Sequence, residues 1–281
     1  MQFFTNGLGA NAGDTLVTCE GLIVSEHVIW VNSATGNDAS PTLGYDREEP
    51  LQTIGAAVTA AWPGDIIVLM AGFYEVIAAP IVPWEGLCIV GEGSVGGLPS
   101  CQLVNNQGAG EIFTVTALGV EFRNIRFPPN QQANTMAKIM VTADNCRIIG
   151  CYFEGGANDT ASQVRYSSLY DTTIDYEVIC NTTFISTAPT CLALPYTGVE
   201  FNGFSTYLTL DGVTFDDSQF GWNWDYAFFV AGGGGLLNFR KIGVSLLHGA
   251  SMMVQGFSTG DSAGWLNTQT RTGGGRVDWL V

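Results

Sequence analysis

Four eight-residue stretches decide how this chain folds, because they repeat one pattern along the middle of the sequence. They are VEFRNIRF (120–127), CRIIGCYF (146–153), EVICNTTF (177–184) and LTLDGVTF (208–215), and each ends in phenylalanine. The four phenylalanines are 26, 31 and 31 residues apart. Repetition at a period of about 20–50 residues is typical of proteins whose repeats pack only on their neighbours.

Two columns of this alignment describe one repeat. Five positions before the phenylalanine the residue is apolar: Phe122, Ile148, Ile179 and Leu210. Three positions before it stand Asn124, Gly150, Asn181 and Gly212. Asn and Gly enter the left-handed backbone region most readily, so this column predicts a sharp bend between two short strands. Weaker matches continue the pattern at Leu87, Ile89 and Gly91, and at Leu237, Phe239, Ile242 and Val244.

A strand–bend–strand unit cannot bury its own apolar face, whereas parallel stacking of such units buries all of them in one core. The sequence therefore predicts an all-β, single-stranded parallel β-helix over residues 29–256. An antiparallel β-sandwich or jelly roll is the alternative, since it also contains many short strands. Its hairpin turns recur about every 8–12 residues, however, and need no fixed Asn/Gly column.

Residues 50–61 interrupt the β pattern with helical spacing. Leu51, Ile54 and Val58 recur at intervals of three and four, and Pro63-Gly64 follows as a stop signal. The open end of a β-helix exposes apolar side chains and unpaired strand edges. We therefore predict that this helix caps the N-terminal end of the core.

Composition excludes several classes of function. Of 281 residues, 26 are acidic and 10 basic, which gives a formal net charge of −16. This charge argues against binding to nucleic acid or to an anionic membrane. The seven cysteines are odd in number and contain no CxxC pair, and no signal peptide is recognised. We expect most of them to be reduced and buried, and we predict no metal site and no cofactor.

The N-terminal third resembles a known group of proteins. The relevant residues are Trp30-Val31-Asn32, Gly36-Asn37-Asp38, Pro50-Leu51-Gln52-Thr53-Ile54, Ala57, Pro63-Gly64-Asp65-Ile66-Ile67-Val68 and Gly72-Phe73-Tyr74. They look like the start of right-handed parallel β-helix proteins of the pectate-lyase-like superfamily. That superfamily includes polysaccharide lyases, glycoside hydrolases, bacteriophage tailspikes and non-enzymatic virion proteins. The resemblance covers about residues 29–94 and implies a right-handed coil, but this fold does not fix an activity.

Candidate catalytic residues are sparse, and our main expectation is that there are none. Polysaccharide lyases of this superfamily use a basic residue to remove a proton, and Arg123, Arg126 and Arg147 are the candidates for a small basic patch. We expect them instead to be solvated surface charges. If the protein is an enzyme, Asp211, Asp216 and Asp217 are the best carboxylates for an inverting glycosidase, which needs two about 6.5–9.5 Å apart.

Apolar and aromatic segments supply candidate contact surfaces. Trp222, Trp224 and Tyr226 pack within a lateral loop, contact another subunit or bind a glycan. Residues 1–28 form either an extra capping strand or an N-terminal arm that docks through Phe3 and Phe4. Residues 257–281 form a C-terminal cap or docking tail that carries Trp279 and Leu280.

Together these features favour a non-enzymatic bacteriophage virion structural protein. A capsid decoration protein on the head surface fits the short length better than a tailspike with a separate head-binding domain. The expected partners are further copies of the chain in a homotrimer and the major capsid protein, in a virion assembled in the host cytoplasm. The alternative is a polysaccharide-active, tailspike-type hydrolase or lyase that binds host surface glycans.

Overall fold

The chain forms a parallel β-helix, as the repeat predicts. The computed structural model describes residues 15–18, 21–24, 27–108, 110–134, 136–156, 158–159, 163–167, 177–186, 197–202, 207–216, 226–230, 236–240, 242–245 and 268–270. Among these residues, three large sheets consist of parallel strands, and neighbouring strands come from successive coils. The alternative prediction of an antiparallel β-sandwich or jelly roll is therefore wrong.

The strands of each sheet are stacked in chain order. Sheet A contains β3 (Val28–Val31), β4 (Ile66–Leu69), β6 (Cys88–Gly91), β11 (Glu121–Arg123), β14 (Arg147–Ile149), β17 (Glu177–Cys180), β20 (Tyr207–Asp211) and β23 (Leu236–Arg240). Sheet B contains β5 (Tyr74–Ile77), β9 (Gln102–Asn105), β12 (Arg126–Phe127), β15 (Tyr152–Gly155), β18 (Thr183–Ser186), β21 (Thr214–Asp216), β24 (Ile242–Ser245) and β25 (Thr268–Thr270). Sheet C contains β10 (Phe113–Val115), β13 (Ile139–Val141), β16 (Val164–Ser167), β19 (Thr197–Asn202) and β22 (Tyr226–Val230).

The repeat columns become columns of the core. The strand register pairs Phe127 with Phe153, Phe153 with Phe184, and Phe184 with Phe215. Their rings are stacked at centroid distances of 4.6, 4.9 and 5.2 Å, with interplanar angles of 8–14°. In sheet A, a second fully buried column contains Ile29, Ile67, Ile89, Phe122, Ile148, Ile179 and Leu210. The alignment of the sequence repeats is therefore confirmed residue by residue.

The predicted bends are also confirmed. Asn124, Gly150, Asn181 and Gly212 have φ values of +51°, +61°, +48° and +67°. Each of them turns the chain from sheet A into sheet B. Sheet C is the part of each coil that the alignment did not predict, because its strands follow connections of variable length.

The capping helix is shorter than predicted. Helix α1 (Ile54–Ala60) begins after Thr53, whose side chain accepts a hydrogen bond from the Ala56 backbone. The preceding residues do not join it, because Leu51 forms a parallel bridge with Val31. Ile54, Ala57 and Val58 are buried in the same core as the sheet residues. None of the helices in the described part of the chain could cross a membrane, given their length and apolarity.

The described residues also form two antiparallel hairpins. One pairs β1 (Thr15–Thr18) with β2 (Gly21–Val24), and the other pairs β7 (Ser94–Val95) with β8 (Leu98–Pro99). At the other end, β25 pairs in parallel with β24, so parallel pairing reaches residue 270. Cys88, Cys101, Cys146 and Cys151 are buried thiols, as predicted, and Cys180 is a partly buried thiol.

Candidate functional site

The exposed apolar surface includes a ridge of large side chains where the chain enters sheet A. We define the tryptophan ridge as Trp62, Trp84 and Leu118, whose exposed fractions are 68%, 50% and 47%. Each residue belongs to a different coil, and the three coils follow one another. Because successive coils are about 4.8 Å apart, the ridge follows the helix axis for about 10 Å.

A second column of left-handed residues positions the ridge. Gly64, Gly86, Gly119 and Asn145 have φ values of +85°, +66°, +71° and +60°. Backbone hydrogen bonds join the coils at these turns: Gly64 N to Glu85 O (2.9 Å), and Gly86 N to Leu118 O (2.7 Å). Trp62 and Trp84 each lie two residues before their glycine, so they hold equivalent places in consecutive coils.

Hydrogen bonds fix the indole of Trp84 and the backbone of Trp62. The indole N–H of Trp84 donates to the carbonyl oxygen of Val58 in α1 at 2.8 Å. The backbone N–H of Trp62 donates to Oδ2 of the buried Asp65 at 2.8 Å. Oδ1 of Asp65 lies 3.5 Å from His27 Nδ1. Burial, and then the charge of Asp65, raise the pKa of Tyr45 above its usual value.

The ridge offers recognition rather than acid–base chemistry. A tryptophan side chain buries about 150–250 Å² in a contact. At about 25 cal/mol per Å², the exposed two-thirds of Trp62 could contribute about 3 kcal/mol to binding. Because Trp84 is already tied to α1, less conformational freedom is lost when a partner covers it.

Sequence reasoning missed the ridge, although a signal for it was present. The motif Trp-x-Gly occurs at residues 62–64 and again at 84–86, and the two copies are 22 residues apart. Strands β4 and β6 have the same separation, since Ile66 pairs with Cys88. Pro63-Gly64 by itself predicts the end of the preceding helix and carries no information about the exposure of Trp62.

The candidate carboxylates do not share one sheet. Asp211 ends β20 in sheet A, and Asp216 ends β21 in sheet B, with the Gly212 bend between them. Asp217 lies outside the described residues. Their assignment to an enzymatic site stays a prediction.

The other predicted contact residues are described only in part. Tyr226 begins β22, where its backbone pairs with Thr197. The remaining ones lie outside the described residues: Phe3, Phe4, Trp222, Trp224, Trp279 and Leu280. Their roles in docking, oligomer contact or glycan contact stay predictions.

The three arginines expected to be solvated are paired with acids. Arg123 is buried and forms an ion pair with Glu121, whose Oε2 also lies 3.1 Å from Arg147 Nη1. Arg126 is paired with Glu154. The expectation of a solvated charge is wrong for Arg123, which is buried, whereas the side chains of Arg126 and Arg147 are 29% and 41% exposed. Parallel stacking places Arg147 directly beside Glu121, 26 residues away, and this neighbour is not visible in a single repeat.

A second charged group is buried inside the fold. Lys138 and Asp159 are each 1% exposed, and Lys138 Nζ lies 3.4 Å from Asp159 Oδ1. Nζ also donates to the carbonyl oxygens of Phe127 and Glu154. Burial lowers the pKa of Lys138, although the nearby charge of Asp159 opposes this effect. The pair is inaccessible to a ligand, so we assign it to stability and not to a site.

The described residues contain no group of three or more His, Cys, Asp or Glu side chains arranged to hold a metal ion. Comparisons of the chain with models of protein families, with curated proteins and with solved structures find no match.

Proposed function

We propose that this chain is a non-enzymatic structural protein of a bacteriophage virion, attached to the head surface as a capsid decoration protein. The observation that carries the proposal is the tryptophan ridge on a rigid scaffold. The resemblance of residues 29–94 to pectate-lyase-like β-helix proteins, a superfamily that includes virion proteins, supports the choice of assembly.

The architecture suits attachment to a large particle. The stacked phenylalanines and the columns of left-handed bends define each coil, so surface side chains are held at fixed spacings. Tryptophans dominate the binding energy in many protein interfaces when they insert into a pocket of the partner. The net charge of −16 favours a partner surface with basic residues around that pocket.

Co-sedimentation with purified heads of the cognate phage tests this proposal. We expect saturable binding that weakens as salt is raised. Trp62→Ala should reduce affinity at least tenfold, because about 3 kcal/mol of apolar contact is removed. Val95→Ala is the matched control, since Val95 is 73% exposed but lies outside the ridge. Equal binding by both variants would remove the ridge from the interface, and no binding by the wild type would refute the proposal.

We further propose that the chain assembles as a homotrimer that contacts the major capsid protein. The terminal residues Phe3, Phe4, Trp279 and Leu280 are additional docking candidates. Light scattering coupled to size-exclusion chromatography should give a mass of three chains. A monomer at micromolar concentration would contradict the trimer without affecting attachment through the ridge.

A polysaccharide-active protein is the second candidate, and the same ridge favours it. Exposed indole rings also stack on sugar rings, and the ridge spans about 10 Å along the axis. Release of reducing sugar from host surface polysaccharide would support this function. Loss of that activity in Asp216→Asn or Asp217→Asn would assign the catalytic carboxylates. Weaker substrate binding by Trp62→Ala would assign the ridge to glycan binding.

A further inference from the structure

The outer face of sheet A is apolar over its first three strands. β3, β4 and β6 read VIWV, IIVL and CIVG, and so lack the alternation of apolar and polar residues expected when one face meets water. Their inward residues belong to the main core. Their outward residues form a separate cluster in which no side chain is more than 6% exposed: Trp30, Ile66, Val68, Cys88 and Val90.

Charged residues border this outer cluster. The Arg47 guanidinium lies 4.6 Å from the centre of the Trp30 ring, and its Nη2 is 2.9 Å from Glu92 Oε1. At the next strand, the buried ion pair of Glu121 and Arg123 replaces the apolar residues. Among the described apolar residues, the two packed around the cluster are Val28 and Met70, which belong to or directly follow the same strands. Arg47 covers Trp30, and Cys88 Sγ donates to Glu121 Oε1 at 3.7 Å. Ile66, Val68 and Val90 are also buried and need a further cover.

We propose that the β1–β2 hairpin of the same chain covers this face by lying on the outer cluster. The hairpin strands read TLVT and GLIV and are largely apolar. A two-stranded hairpin is marginally stable by itself in water, so it needs a surface to pack on. The outer cluster is the nearest one along the chain, because residue 28 begins β3, the terminal strand of sheet A.

The dimensions agree with this arrangement. Strands of four residues are about 13 Å long, which matches the length of β3, β4 and β6. The three strands are about 10 Å across from first to last, close to the width of a hairpin with its side chains. A cover over β3, β4 and β6 alone agrees with the change of sheet A from wholly apolar strands to a charged strand at β11.

This inference goes beyond the proposed function and gives the N-terminal segment an intramolecular role. The segment would shield an apolar sheet face that otherwise promotes aggregation. It also differs from an arm that reaches out to a partner through Phe3 and Phe4. Attachment to capsids through the tryptophan ridge does not depend on it, so the two ideas fail separately.

Cys88 reports on the cover, because it belongs to the outer cluster, whereas Cys151 belongs to the main core. We would label the full-length native protein with N-ethylmaleimide and measure each cysteine by mass spectrometry. In Leu16→Asp/Leu22→Asp the two substitutions lie on opposite faces of the hairpin, since Leu16 pairs with Ile23 and Leu22 with Val17. Neither face can then pack on an apolar surface.

We expect this variant to label Cys88 at least tenfold faster than the wild type does, with Cys151 unchanged. Val95→Asp, at an exposed position of the β7–β8 hairpin, is the matched control and should change neither rate. The proposal is overturned if wild-type Cys88 is labelled quickly, or if Cys88 stays protected in the folded variant. It is also overturned if dilution of the wild type exposes Cys88, because a second copy would then be the cover.

A second measurement covers the case in which the double variant fails to fold and Cys151 is labelled too. Single cysteines would replace Leu16, Val17, Leu22 and Ile23 in turn in the full chain, followed by mild oxidation. A disulfide needs Cα atoms within about 7 Å. We expect at least one of the four to form a disulfide with Cys88, while Val95→Cys forms none. Absence of a disulfide in all four would refute the cover.

Discussion

Three glycine-to-alanine substitutions separate the effect of a left-handed backbone from the effect of limited space. Gly150 has φ +61°, and a Cβ added there would have no heavy atom within 4 Å. Gly212 has φ +67°, and its added Cβ would lie 2.5 Å from Asn181 Oδ1. Gly55 lies in α1, where an added Cβ also meets nothing within 4 Å.

The structure sets an order of stabilities for these variants. Gly55→Ala should stabilise the protein by about 0.5–1 kcal/mol, the usual preference for alanine within a helix. Gly150→Ala should destabilise it by about 1 kcal/mol, because a left-handed alanine costs about 1–2 kcal/mol and the lower entropy of the unfolded chain offsets part of this. Gly212→Ala should cost about 1–3 kcal/mol more than Gly150→Ala, since its methyl group meets Asn181.

Urea and thermal unfolding would measure these differences, with about 2–4 °C expected per kcal/mol. Adding Asn181→Gly to Gly212→Ala should remove the extra cost, because glycine keeps the left-handed φ of +48° and removes the obstructing oxygen. Wild-type stability of Gly150→Ala would refute the role of the left-handed column. Equal losses in Gly150→Ala and Gly212→Ala would refute the close approach of Asn181.

Three further outcomes test the interior. Phe153→Leu should cost about 1–3 kcal/mol in unfolding experiments, because two stacked ring contacts are lost at nearly constant volume, and Phe153→Ala should cost more. Lys138→Met should cost about 3–5 kcal/mol, because it leaves the buried Asp159 carboxylate without its cationic partner. Adding Asp159→Asn should restore part of this loss of stability, and additive losses would contradict the pairing. Burial raises the pKa of Cys88 to about 11 and of Cys151 to about 12 from a usual value of 9.0, so stability should fall as pH rises from 9 to 11, because only the unfolded chain releases these protons. Cys151→Ala should make that fall shallower by roughly 1 kcal/mol per pH unit, and an unchanged slope would exclude this thiol as a cause.

The repeat could be predicted from the sequence because each aligned position has its own requirement, either an apolar side chain or a backbone that tolerates positive φ. Phe127, Phe153 and the residues aligned with them had to be apolar since they point into the core. Asn124 and Gly150 had to tolerate positive φ, and the structure confirms it. The short helix before the coils was predicted from its own periodicity, although its first turn was misplaced by the Leu51 bridge to Val31.

The candidate site was not predicted, because it depends on neighbours that are distant in sequence. Trp62 and Trp84 form a ridge only when their two coils are stacked, and a single Trp-x-Gly motif says nothing about exposure. Arg147 meets Glu121 for the same reason.

The amino-acid sequence by itself determined the period, the bends and the inward columns, since these follow from the side chain and backbone preference at each position. Only the tertiary structure decided whether an outward side chain is buried, paired with a charge or exposed to solvent. In a parallel β-helix an outward side chain meets residues one coil away, and the number of residues per coil varies. Three outward residues show the range of outcomes. Cys88 lies in an apolar cluster, Arg123 forms an ion pair with Glu121, and Trp84 is half exposed to solvent.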